Sequence, residues 1–206
     1  MADFSSWMDL ERGVLFCLSQ EEGVEPPFSL GRMAQEASGT MKPSAERLPT
    51  GASYFLSGVM QGRKAEGEGV EGTVPQDYRG VMKAAVLAAD PSATVIEPWD
   101  LVGAWIGKTM PDTPQAEVFK DTATVRKAFT MCVEAAANAD VVVSYLPEAS
   151  MGSAVELYAA QAAGRTIIAI APGSMAHNWV VRSYGTHLLT DIDKLQGWLT
   201  DHIRRG

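Results

Sequence analysis

Apolar and polar positions along this chain change their rhythm near Ser53. Beyond it, short apolar runs alternate with longer stretches of helical period. YFLSG (54–58) reads as a strand and QDYRGVMKAAVLAAD (76–90) as a helix. ATVIEPWD (93–100) reads as a strand running into a loop, and DTATVRKAFTMCVEAAANAD (121–140) as a helix. VVVSYL (141–146) is a strand, ASMGSAVELYAAQAAGR (149–165) a helix and RTIIAIAP (165–172) a strand. The last segment, TDIDKLQGWLTDHIRR, sets Ile192, Leu195, Leu199 and Ile203 on one helical face, with Thr190 and Asp193 at capping-box spacing; it reads as a docking helix.

Parallel neighbours need crossover connections, so this alternation predicts a doubly wound α/β domain: a mainly parallel five-stranded sheet with helices on both faces, flavodoxin- or Rossmann-like. The domain is expected over residues 53–206. Residues 1–52, with a short helix near Trp7 and then a stretch rich in Gly, Pro, Ser and Glu, read as an extension of unknown role. Ligands in such sheets bind beyond the carboxyl ends of the strands, which places the candidate site on segments 58–63, 97–100, 146–152 and 172–178.

Composition narrows the classes of function. A formal net charge of −8 offers no broad basic surface, so a nucleic-acid polymer or an anionic membrane is not the expected partner. A small anion remains possible, since a few backbone N–H groups hold one. Cys17 and Cys132 stand far apart without a partner motif, which suggests neither a disulfide framework nor a zinc site. No apolar run reaches the roughly 20 residues of a spanning helix, and a signal-peptide pattern is missing, so the expected location is the cytoplasm.

Several motifs are decoys. GEGVEG (67–72) fits G-x-G-x-x-G, but it lies well past its strand, and Glu68 and Glu71 would repel a pyrophosphate. GAWIGKT (103–109) has three residues between its glycines where a P-loop needs four. His177, His187 and His202 make no metal-ligand spacing, His202 is expected on the exposed side of the last helix, and no G-x-S-x-G elbow occurs. Neither a cofactor nor a metal is expected.

Glu156 is the residue that asks for an explanation. With Ser153 as N-cap it would sit at N3 and complete a capping box. The same segment leaves a central strand and delivers Gly152 and Ser153 to a helix N-terminus, where backbone donors and the helix dipole suit an anion. A carboxylate one turn inside would be kept ionised by that dipole and poorly hydrated by apolar neighbours, and so a competent nucleophile.

ADVVVSYLPEASMGSAVELYAAQAA (139–163) resembles the nucleoside 2-deoxyribosyltransferase superfamily, with its strand, S-x-G-[ST]-x-x-E turn and helix. YFLSGVMQG (54–62) is similar to that family's first strand and glycine loop, and the resemblance spans about residues 53–200. It implies that Glu156 attacks the anomeric carbon of a nucleoside or nucleotide, that Tyr54 orients the carboxylate, and that Asp121 binds the sugar or assists the leaving base. It implies substrate contacts from Gly58, Gln61, Gly62, Trp99, Asp100, Ser150, Gly152 and Ser153. Asn178 matches a position that reaches a neighbouring subunit, which implies a homodimer or higher homo-oligomer. Ser150, where base-exchanging members carry an acidic residue, favours the 5′-monophosphate N-glycosidases; Gln61, where those glycosidases place an arginine, speaks against a phosphate, with Arg63 a conceivable substitute. The expected activity is hydrolysis of an N-glycosidic bond or deoxyribosyl transfer between bases. The alternatives are a non-catalytic nucleotide-binding or sensing module and a TIR-like NAD-cleaving enzyme.

Overall fold

The computed structural model describes residues 47–59 and 76–203. Strands β1 (Ser53–Gly58), β2 (Thr94–Ile96), β3 (Val141–Tyr145), β4 (Thr166–Ile170) and β5 (His187–Leu189) form one sheet in the order β2-β1-β3-β4-β5. All four pairings are parallel, as expected for a doubly wound α/β fold. Around it lie α1 (Asp77–Ala89), α2 (Pro98–Thr109), α3 (Thr122–Asn138), α4 (Met151–Ala162), α5 (Trp179–Tyr184) and α6 (Leu195–His202).

Topology sorts the helices. The chain steps outward from β1 to β2 through α1, then reverses, passes over β1 to β3 and continues to β5. With crossovers of one hand, the reversal puts α1 on one face and the later crossover helices on the other. The core divides accordingly. Tyr54, Leu56, Val143 and Ile168 pack with Met82 and Val86 of α1 and Leu195 and Leu199 of α6. Phe55, Val142 and Ile167 pack with Val102 of α2, Cys132 of α3, Leu157 of α4 and Val181 of α5. The strands β1, β3 and β4 are buried on both faces, which is why they read as nearly continuous apolar runs.

Four expectations change. Residues 98–100 are not a loop, because Pro98 opens α2 at a position where its fixed φ suits a helix start. The exposed Gly103 and Gly107 had weakened the helical signal there. The fifth strand is the three-residue His187–Leu189, too short to show a period. Asp191, not Thr190, caps the turn before α6, accepting from the Asp193 N–H at 3.0 Å. His202 is half-buried, not fully exposed; its ring stacks on Trp198 at 3.9 Å and its Nδ1 meets the Trp198 carbonyl at 2.7 Å.

The docking face of α6 is as expected, with Leu195, Leu199 and Ile203 buried and Ile192 packed beside them. Residues 47–52, grouped by sequence with the extension, pack on the domain. Leu48 is buried and donates its N–H to the His202 carbonyl at 2.8 Å. The expected helix near Trp7, Cys17 and the GEGVEG stretch lie outside the described residues. Among those described, no helix is long and apolar enough to cross a membrane.

Candidate active site

The strand order reverses between β1 and β3, and in open α/β sheets the ligand crevice lies beyond the carboxyl ends of two neighbouring strands whose connections leave toward opposite faces. Glu156 reaches that point from α4. It is 5% exposed, and Ser57, the penultimate residue of β1, donates its hydroxyl to Glu156 Oε2 at 2.5 Å. Alternation along the strands explains the room for a buried carboxylate. Ser57 pairs in register with Ser144 of β3, and Ser144 with Ala169 of β4, so three small side chains share one row beneath α4.

Glu156 is not a cap. The N-cap is Ser150, in an extended conformation, and its Oγ accepts from the Ser153 N–H at 3.3 Å and the Ser153 hydroxyl at 3.1 Å. Ser153 therefore stands at N3, and Glu156 is three residues further in, nearly two turns inside the helix. The helix dipole does not keep it ionised either, because that influence fades within the first turn. Burial pushes its pKa up from 4.5 to about 7, opposed by the Ser57 hydrogen bond and the charge of Arg79. The Cys132 thiol in α3 is pushed up to about 11 by burial and by the Glu156 charge.

Arg79 completes the site from the other side of the sheet edge. It is 3% exposed, and its Nη1 donates to the Leu56 carbonyl at 2.6 Å and its Nη2 to the Gly58 carbonyl at 3.3 Å. Thr94 of β2 donates to the Ala52 carbonyl, so the even-numbered carbonyls of β1 point toward β2. The β1–β2 pairing ends at Phe55–Ile96, and the guanidinium fork takes over where the neighbouring strand stops. Gln76 Oε1 holds Arg79 Nε at 2.8 Å. Tyr78 donates to the Val59 carbonyl at 3.0 Å and lies against Gly58, where an added Cβ would come within 2.6 Å of the phenol oxygen.

The remaining expected residues divide. Tyr54 does not meet Glu156: its side chain faces α1, while Ser57 faces α4. Its hydroxyl is buried without a partner, and burial together with the Asp90 and Asp140 charges pushes it up to about 12. Asp121 is exposed and caps α3, accepting from the Thr124 N–H and hydroxyl, both at 2.8 Å, which holds its carboxyl below the ordinary value. The glycine at position 58 is demanded by Tyr78. Gly152 lies beside Phe129 of α3, with 3.6 Å from a would-be Cβ to the ring.

Ser150 and Asn178 line one cavity of about 230 Å³ with Leu146, Met175 and Val181. Asn178 also caps α5 through its side-chain oxygen. Trp99 lines a separate cavity of about 490 Å³ between α2 and Phe119, and Asp100 is exposed with a carboxylate oxygen 3.9 Å from Lys83 Nζ. Gln61 and Gly62, with Arg63, lie outside the described residues.

Ser57, Arg79 and Ser144 were missed by sequence reasoning, although all three carry a signal. Arg79, Met82 and Val86 fall on one stripe of α1, and a charge on a buried stripe marks a paired group. Serines at inward positions of buried strands are likewise out of place in an apolar run.

No family model matches this chain and no curated protein matches it. Among solved structures it is similar to a 2-deoxyribosyltransferase from Bacillus psychrosaccharolyticus, at 16% identity over 70% of this chain and 90% of that one, with a TM-score of 0.47. A conserved protein from Enterococcus faecalis V583 is similar at 12% identity, 74% and 99% coverage, TM-score 0.48. A CMP N-glycosidase from Clostridium botulinum is similar at 11% identity, 73% and 99% coverage, TM-score 0.40. At these scores the likeness carries no weight for the chemistry, which rests on the chain's own residues.

Proposed function

We propose that this chain is an N-glycosidase acting on a nucleoside or nucleoside 5′-monophosphate, with Glu156 as the nucleophile. The observation that carries the reading is the buried Glu156 carboxylate, held by Ser57 near the carboxyl ends of the neighbouring strands β1 and β3. A poorly hydrated carboxylate at a ligand crevice is suited to an oxocarbenium-like centre. The sequence resemblance of Ser150, Gly152, Ser153 and Glu156 to the deoxyribosyltransferase turn supports the same reading.

The ionised Glu156 attacks the anomeric carbon, the bond from that carbon to the base nitrogen breaks, and the leaving base keeps the electron pair and takes up a proton. Water then attacks the same carbon, releasing the sugar and regenerating the carboxylate. A second base in place of water gives transfer. Ser150 and the backbone N–H groups at the start of α4 are the candidate phosphate contacts. Trp99 and Asp100, just beyond β2, remain the candidate base contacts, and Gln61 and Gly62 remain candidates in the first loop. Tyr54, whose side chain packs on the opposite face of the sheet, is given no contact with Glu156 in this reading. A homo-oligomer belongs to the reading: Met151 and Trp179, 91% and 86% exposed, flank Ser150 and Asn178 and offer apolar contact to a second copy.

The test is free-base release, followed by HPLC, from ribo- and deoxyribonucleosides and their 5′-monophosphates. Release by wild type and none by a folded Glu156→Gln variant supports the reading. Equal release by both removes Glu156 from the chemistry, and no release by wild type removes the activity.

A further inference from the structure

Arg79 is the one buried basic side chain among the described residues, and nothing in its surroundings is a salt-bridge partner in contact. A buried cation normally pairs with an acid at hydrogen-bond distance. Here the guanidinium is spent on the peptide carbonyls of Leu56 and Gly58, the residues on either side of Ser57, and on Gln76. The short Nη1 bond, 2.6 Å, is a charge-assisted contact to a backbone that no strand supports on that side. Ser57 in turn is the side chain that holds Glu156.

We propose that Arg79 is a positioning residue for Glu156: its guanidinium locks the β1 backbone around Ser57, so that the Ser57 hydroxyl stays aimed at the carboxylate, and its charge favours the ionised form. The inference rests on the reading of Glu156 as the nucleophile, and it names the device that lets so buried a carboxylate ionise. Charge and geometry are separable. The fork reaches two carbonyls at once, which an ammonium cannot do, whereas the positive charge is common to arginine and lysine. Ser144 belongs to the same arrangement. Its hydroxyl is fully buried, has no partner and shares the register of Ser57, so it stands beside the bond that Arg79 secures.

The experiment uses the full chain carrying Arg79→Lys, Arg79→Met, Ser57→Ala and the Ser57→Ala/Arg79→Lys pair. The Glu156 carboxyl is titrated by carbon-13 NMR of glutamate-labelled protein, with its resonance assigned from Glu156→Gln, and base release is measured against pH in parallel. Arg79→Met is expected to raise the carboxyl midpoint by about one pH unit or more, as loss of a nearby opposite charge does. Arg79→Lys is expected to raise it less and to lower kcat about tenfold at little change in KM, an effect that disappears in the Ser57→Ala background if Arg79 acts through Ser57.

An unchanged midpoint in the folded Arg79 variants, or losses from Arg79→Lys and Ser57→Ala that multiply independently, overturns the proposal. If Arg79→Met does not fold, Arg79→Lys and the pair still decide it. If wild type releases no base from any substrate, the glycosidase reading fails while the titration still reports on Arg79.

Discussion

Two helices start at the carboxyl end of the sheet, α3 behind Asp121 and α4 behind Ser150, and each brings a carboxylate that sequence reasoning marked as catalytic. Their surroundings are opposite. Asp121 is the cap itself, exposed and satisfied by two donors from Thr124, and its carboxyl is held below the ordinary value. Glu156 lies six residues past its cap, buried, and is pushed up to about 7. What separates the two carboxylates is the solvation left to each and the donors each has, and the residue type decides neither.

The difference can be broken most completely at Glu156. A Glu156→Gln variant is expected to keep the fold and lose base release to background in the HPLC assay. If Glu156 is the nucleophile, the wild-type rate should rise with pH through about 7, because a carboxylate attacks in its ionised form. A rate that falls through the same range would make Glu156 an acid instead.

The same burial acts on stability with a definite sign. The folded Glu156 binds its proton more tightly than the unfolded one, so its contribution is fully present below about 4.5 and lost as pH rises toward about 7. The loss is on the order of 3 kcal/mol, and Glu156→Gln is expected to be more stable than wild type at pH 8, with a flatter dependence of urea stability on pH. Asp121 has the opposite linkage: its contribution is present above the ordinary carboxylate range and fades only as pH falls through its lowered value.

Gly58→Ala attacks the support of the site instead of its carboxylate. The new methyl meets the Tyr78 ring, and a loss of about 1–3 kcal/mol is expected from overpacking, read by urea unfolding. Base release per folded molecule should fall as well, because the Gly58 carbonyl is one of the two that Arg79 grips. The smallest effect is expected from Asp121→Ala: a lower urea midpoint at unchanged slope from the lost cap, with base release falling far less than in Glu156→Gln. A loss of release as deep as that of Glu156→Gln would erase the contrast between the two carboxylates.

Much of the fold was legible because its signals are local. The apolar runs at 54–58, 141–146 and 165–172 are strands buried on both faces, and the α6 stripe through Leu195 and Leu199 docks as its spacing requires. The S-x-G-S-x-x-E turn marked Glu156 by its neighbours in the chain. The local signal failed where elements are short or rich in glycine, as in β5 and α2.

Tertiary structure alone decided the partners of Glu156. Ser57 lies 99 residues away along the chain, and only the parallel register of β1 and β3 brings it under α4. The same alternation that aims Ser57 at the carboxylate turns Tyr54 to the opposite face, a two-residue period that a family likeness cannot supply. Arg79 matters because β2 stops at Ile96 and leaves two carbonyls of β1 without a strand beside them. Residue types and local periods set which segments could form; long-range pairing set which side chains meet, and with that the ionisation of Glu156.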